Sequence, residues 1–192
     1  MPDRNPAALA FLQTRRSRPA KTLTAPVPDR PTVEMLLQTA SRSPDHGKLE
    51  PWRFIVLERG ALVRLAQAVS AHGADRHIDQ DKIDKMAQQF AMANLAVVVV
   101  ESPKISDKIP AVEQTYAAGG VCLALLNAAL ASGWGANWLS GWASHDADFV
   151  QENLGLSPKE RVAGIVHLGT ETATPPGRPR PDTPALTTWM AQ

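Results

Sequence analysis

The sequence predicts a single domain of mixed helices and strands that is not built from regular βαβ units. Its 192 residues suffice for one domain with a real core and are too few for two full catalytic domains. Its composition, 44% hydrophobic and 20% charged, is that of a globular protein. Strand-like segments alternate with helical ones, but consecutive helical segments separate the first two strands, so no regular crossover repeat is present.

The elements follow in chain order. Residues 6–14 are alanine-rich and apolar and predict a short helix. Residues 19–31 carry four prolines and predict an extended connection. Residues 32–41 predict a second helix, with Val33, Leu36, Leu37 and Ala40 at i, i+3, i+4 and i+7. A polar loop over 44–51 runs into a strand over 52–58. Leu62, Leu65, Ala66 and Val69 share one face of a helix over 61–71, and 79–94 is a longer helix with a charged face. Four consecutive valines, Val97 to Val100, mark a strand buried on both faces. Residues 110–132 are apolar on almost every side and predict a central helix, with Gly133 as its C′ residue. A strand over 134–139, a helix over 146–154 and a last strand over 161–168 complete the domain. The arm at about 171–192 is rich in proline and is expected to hold no regular structure, yet it ends in the apolar Leu186, Trp189 and Met190. Such an end is either disordered or docks on a partner subunit.

Twenty basic against 19 acidic residues leave a net charge of +1, which excludes a nucleic-acid or anionic-membrane surface as the organising feature. Cys122, the sole cysteine, lies in an apolar run and excludes a disulfide framework or a cysteine-rich metal site. The N-terminus lacks the apolar core of a signal peptide, and the apolar run 117–133 is interrupted by Gly119, Gly120, Asn127 and Ser132, so a cytoplasmic location is expected.

Three segments carry residues suited to chemistry. Arg15-Arg16-Ser17 ends the first helix; arginine offers a fork of donors to phosphate oxygens and serine adds a short one. Arg42-Ser43-Pro44-Asp45-His46 opens the loop that reaches Pro51-Trp52. In Gly133-Trp134-Gly135-Ala136-Asn137-Trp138-Leu139-Ser140-Gly141, small residues allow backbone to approach a flat ring. Nothing matches Gly-x-Gly-x-x-Gly, a Walker loop, His-Glu-x-x-His or a Gly-x-Ser-x-Gly elbow.

Taken in this order and spacing, over about residues 8–170, the three segments resemble the FMN-dependent nitroreductase family, in particular its small branch. The resemblance implies an α+β fold, a mostly antiparallel central sheet flanked by helices, in an intertwined homodimer with FMN at the subunit interface. It implies that Arg15, Arg16 and Ser17 hold the FMN phosphate and ribityl end, and that Arg42 and His46 contact FMN, His46 from across the interface. Trp138, Leu139 and Ser140 are implied to lie on the flavin, residues 128–133 near nicotinamide, and Arg180, with Arg178, where relatives place a basic residue on the phosphate. The activity implied is hydride transfer from NADH or NADPH through flavin N5 to a small oxidant such as a nitroaromatic, quinone or enone. Relatives that oxidise thiols or dehalogenate, and a flavin-binding sensor without turnover, are the alternatives.

The sequence departs from the family in two places. Lys48 and Glu50 stand where larger members have asparagine and glutamine, and Pro19 stands where many have a lysine facing the N1/O2 edge of the ring. Lys48 is the first candidate for the missing cation, with Arg18 and Lys21 beside it.

Overall fold

The computed structural model describes residues 3–191. Five strands form one antiparallel sheet: β1 (Leu23–Thr24), β2 (Trp52–Glu58), β3 (Leu95–Glu101), β4 (Gly135–Leu139) and β5 (Arg161–Glu171). The order is β1-β5-β3-β2, and β4 pairs with the same edge of β5 as β1 does, farther along it. Helices α1 (Pro6–Thr14), α2 (Arg30–Ala40), α3 (Arg59–Asp75), α4 (Gln80–Ala91), α5 (Ala111–Ala131), α6 (Trp142–His145) and α7 (Ala147–Leu154) flank it. The α+β architecture with an antiparallel sheet is therefore the one the resemblance implied.

The valine run of β3 separates two cores, because successive strand side chains point to opposite faces. Val98 and Val100 pack with Leu62, Leu65 and Val69 of α3, Phe90 of α4 and Phe149 of α7. Val97 and Val99 pack with Leu36 of α2, Val121, Cys122 and Leu125 of α5, and Val166 and Leu168 of β5. Burial pushes the Cys122 thiol up to about 12, so it stays protonated and inert.

Local chemistry sets most boundaries. Asn5, Asp29 and Asp146 cap α1, α2 and α7 by accepting the N–H of Ala8, Thr32 and Phe149 at 3.0, 3.0 and 2.9 Å. Gly133 adopts φ 83°, and the N–H groups of Gly133 and Trp134 donate back to Leu130 and Ala129, which closes α5 in a Schellman motif.

Three expectations need correction. Residues 19–31 are not one extended connection. Ala20–Thr22 forms a 3₁₀ turn, β1 pairs Leu23 with Glu171 and Thr24 with Thr170, and α2 already begins at Arg30, because proline is tolerated in a first helical turn. The arm does hold one regular piece, the 3₁₀ turn Pro184–Leu186. Helix α5 is central on one face only: Val112, Tyr116 and Leu123 are 49%, 70% and 44% exposed. It is also long and apolar enough by composition to cross a membrane, but eight of its residues are buried in the protein, as in a core helix.

Candidate functional site

Arg15 leaves α1 with extended backbone (φ −55°, ψ 143°), so Arg15, Arg16 and Ser17 run out along the protein rather than continuing the helix. The next residue docks them: the N–H of Arg18 donates to the carbonyl of Ala136 in β4 at 2.8 Å. The arm returns over the same segment. Gly177 to Pro181 and the Arg15–Ser17 run line a cleft of about 770 Å³, together with Leu12 and Thr14.

Four arginines, Arg15, Arg16, Arg178 and Arg180, and the hydroxyl-bearing Ser17 and Thr14 thus face one cleft, with no carboxylate in its wall among the described residues. Arg15 Nε and Arg16 Nη1 are buried and have no hydrogen-bond partner among the described residues. A buried donor left unpaired costs about 1–3 kcal/mol, more when charged. Two such donors beside two further arginines fit an anion with several acceptor oxygens, above all a phosphate monoester. The cleft is lined by cations and hydroxyls, without an acid–base pair among the described residues, so it is equipped to bind rather than to react.

The strand β4 supplies the second part. Trp138 pairs with Val166 in register, and its indole lies against Gly164 of β5. A Cβ at Gly164 would fall within 3 Å of three indole atoms, so no other residue leaves Trp138 where it is. Gly164→Ala is accordingly expected to displace the indole, read as a changed near-UV circular dichroism and tryptophan emission with far-UV signal retained; unchanged near-UV spectra would refute the contact. Leu139 points to the other side of the sheet, into a hollow of about 190 Å³ lined also by Ala20, Lys21, Lys85, Gln88, Gln89 and Met92. Ser140 is exposed at the end of β4.

The loop over 44–51 is tightly built. Asp45 accepts the N–H of Glu50 at 2.6 Å, and the His46 ring lies 2.6 Å from Glu113 in the first turn of α5. Gly47, Lys48 and Glu50 all have positive φ (73°, 55° and 49°). For two non-glycine residues that is an uncommon conformation, of the kind that clusters at binding sites. Arg42, His46 and Lys48 are exposed, and none of them lines the arginine cleft of its own chain. The first and third motifs therefore meet through the Arg18–Ala136 bond, while the second lies apart, against α5.

Three features of the region carry no signal in the sequence. Glu171 lies 2.6 Å from Arg18 Nε as an ion pair and offsets that charge. Lys85 of α4 joins Lys21 at the Leu139 hollow. His167, within a strand expected to be purely structural, is 2% exposed; its Nε2 lies 3.4 Å from Gln89 Nε2, and burial holds its pKa down at about 4. Gln89 and His167 are 78 residues apart, so no local pattern joins them. Among the described residues no cluster of three or more His, Cys, Asp or Glu is placed to hold a metal ion.

Residues 12–170 match the model of the nitroreductase family. The chain belongs to that family. A Haemophilus influenzae protein provisionally named NAD(P)H nitroreductase is 36% identical over 166 residues, covering 85% of this chain and 88% of the relative. The Escherichia coli K12 protein YdjA, provisionally given the same name, is 32% identical over 163 residues, covering 85% and 87%. Among solved structures, a nitroreductase-like family protein from Bacillus cereus superposes with a TM-score of 0.80 at 22% identity, covering all of both chains. A nitroreductase from Bacteroides fragilis, solved with bound FMN, superposes with a TM-score of 0.75 at 17% identity, covering 98% of this chain and 100% of its own. These two likenesses establish the shared nitroreductase fold.

Proposed function

We propose that this nitroreductase-family chain is an FMN-dependent oxidoreductase that uses NADH or NADPH and works as a homodimer. The observation that carries the reading is the arginine cleft, whose buried, unpartnered Arg15 Nε and Arg16 Nη1 call for a phosphate-like anion. The Bacteroides fragilis nitroreductase carries bound FMN, and both sequence relatives are named for NAD(P)H, which supports the same cofactor and reductant here. When bound, FMN supplies the chemistry, taking a hydride at N5 from NAD(P)H and passing it on to a small oxidant such as a nitroaromatic, quinone or enone in ping-pong order.

The chain's own residues bind and orient. Arg15, Arg16 and Ser17, with Arg178 and Arg180, clamp the phosphate by charge-assisted hydrogen bonds. Trp138, Leu139 and Ser140 present an apolar wall and backbone beside the ring. Arg42, His46 and Lys48, which stand outside the cleft of their own chain, reach the FMN of the partner subunit. Residues 1–192 work as one domain, and the arm from about 171 reaches across to the partner.

Exposed apolar surface supports the dimer. Val112, Tyr116 and Leu123 form a stripe on α5, and Leu186, Trp189 and Met190 on the arm are 74%, 91% and 86% exposed. The purified protein is expected to be a yellow dimer with stoichiometric FMN that oxidises NADH or NADPH repeatedly when an acceptor is present. A colourless monomer that does not take up added FMN overturns the proposal.

A further inference from the structure

We propose that Lys21 and Lys85, at the hollow beside Leu139, are the cations that face the electron-rich pyrimidine edge of the bound flavin and stabilise it in the reduced state. The inference rests on the FMN reading and assigns a role which the departure at Pro19 leaves vacant.

The two lysines come from different elements. Lys21 sits in the 3₁₀ turn just after the Arg15–Ser17 run, and Lys85 in the middle of α4. The fold brings both to one hollow of about 190 Å³, whose apolar wall is Leu139 and Met92. Met92 is 53% exposed there, uncovered apolar surface of the kind that a ring edge occupies. Gln89 adds an amide, itself tethered to the buried His167 at 3.4 Å. Among the described residues no carboxylate lines the hollow, so neither ammonium is neutralised within it.

The other two candidate cations are less well placed. Arg18 lies 2.6 Å from Glu171, which offsets its charge. Lys48 is held on the exposed loop by the Asp45–Glu50 bond, and lines neither the cleft nor the hollow of its own chain. Lys21 is three residues beyond Arg18, whose N–H is bonded to β4, so the chain leads from the phosphate clamp to the hollow.

The chemistry asked of the pair is electrostatic. A hydride brings two electrons and one proton to the ring, the nicotinamide leaves as its cation, and one negative charge stays on the N1–C2=O2 edge. Two ammonium groups in a partly dry hollow stabilise that charge far better than water-exposed ones would, and favour the reduced state over the oxidised one. They leave the affinity for oxidised FMN largely to the arginines.

The test is the midpoint potential of the FMN-loaded dimer for wild type, Lys21→Met, Lys85→Met, the double variant and Lys48→Met, with flavin content read from absorbance. The double variant is expected to lose at least tenfold in the equilibrium constant for reduction, about 30 mV for a two-electron couple, with normal oxidised FMN content and an unchanged Lys48→Met. The pH dependence of the potential should steepen in the double variant, because the reduced ring then takes up a proton. A potential unmoved in the double variant, or moved by Lys48→Met alone, overturns the assignment while the yellow colour still upholds the flavin reading. A wild-type protein that binds no FMN overturns both.

Discussion

Arg15→Ala is expected to weaken FMN binding about ten- to a hundredfold, the consequence of losing a charge-assisted contact of roughly 1.5–3 kcal/mol. Arg15 Nε is buried at the cleft without a partner among the described residues, so in the absence of anion it is a cost carried by the fold. Removing the side chain relieves that cost, and the apo variant should melt no lower than apo wild type. Adding FMN stabilises a protein by RT ln(1 + [L]/Kd), so at fixed excess FMN the same loss of affinity should reduce the ligand-dependent stabilisation by about 1.4–2.7 kcal/mol. Ser17→Ala removes a neutral hydroxyl and should cost about 0.5–1.5 kcal/mol, an order smaller in affinity. Fluorescence titration with FMN, and melting with and without it, separate the two effects. Wild-type affinity in both variants would remove the phosphate clamp from this cleft.

The second large effect is on stability in acid and comes from His167. Burial lowers its folded-state pKa from 6.5 to about 4, so the native protein holds it neutral where an unfolded chain would protonate it. Above the unfolded value both states are neutral and the residue contributes nothing to pH dependence. As pH falls from 6.5 towards 4, the unfolded state binds a proton the folded state refuses, and stability falls by up to about 1.4 kcal/mol per pH unit, saturating near 3 kcal/mol. Glu160 works in another window. Arg53 beside it, bonded at 2.6 and 2.9 Å, holds its carboxyl down at about 2, so its contribution is present above 4.5 and is lost between 4.5 and 2. The interval from 6.5 to 4.5 therefore reports mainly on His167. His167→Gln is expected to flatten the decline in urea midpoint across that interval, whatever the variant's stability at neutral pH. Parallel pH profiles for wild type and His167→Gln would refute it.

Much of the architecture was legible in local pattern. The helix over 6–14 and the strand over 52–58 have the same bounds in the structure, because each is bounded by residues that act locally: Asn5 caps the one, and Pro51 precedes the other. Val97 to Val100 announced a strand buried on both faces, and Gly133 the end of α5. The residues of the arginine cleft could be named from short motifs, since a phosphate asks for particular side chains at particular spacings.

Non-local pairing could not be read in the same way. β1 exists only because Leu23 and Thr24 find Glu171 and Thr170, nearly the whole length of the chain away. Arg178 and Arg180 become neighbours of Arg15 and Arg16 through the path of the arm, which no periodicity specifies. Charge balance is likewise tertiary: as a sequence, Arg18, Lys21 and Lys48 were equivalent cations, and it took Glu171 folding against one and Lys85 joining another to tell them apart. The apolar composition of α5 announced that the helix must be covered, but hydrophobicity has no direction along a chain. Only packing shows that Val121, Cys122 and Leu125 are covered by the sheet and α2 while Val112, Tyr116 and Leu123 remain open. The sequence alone determined which segments become helix and strand and which side chains suit a phosphate. Tertiary structure decided which of them meet, because contact and burial depend on segments far apart in the chain.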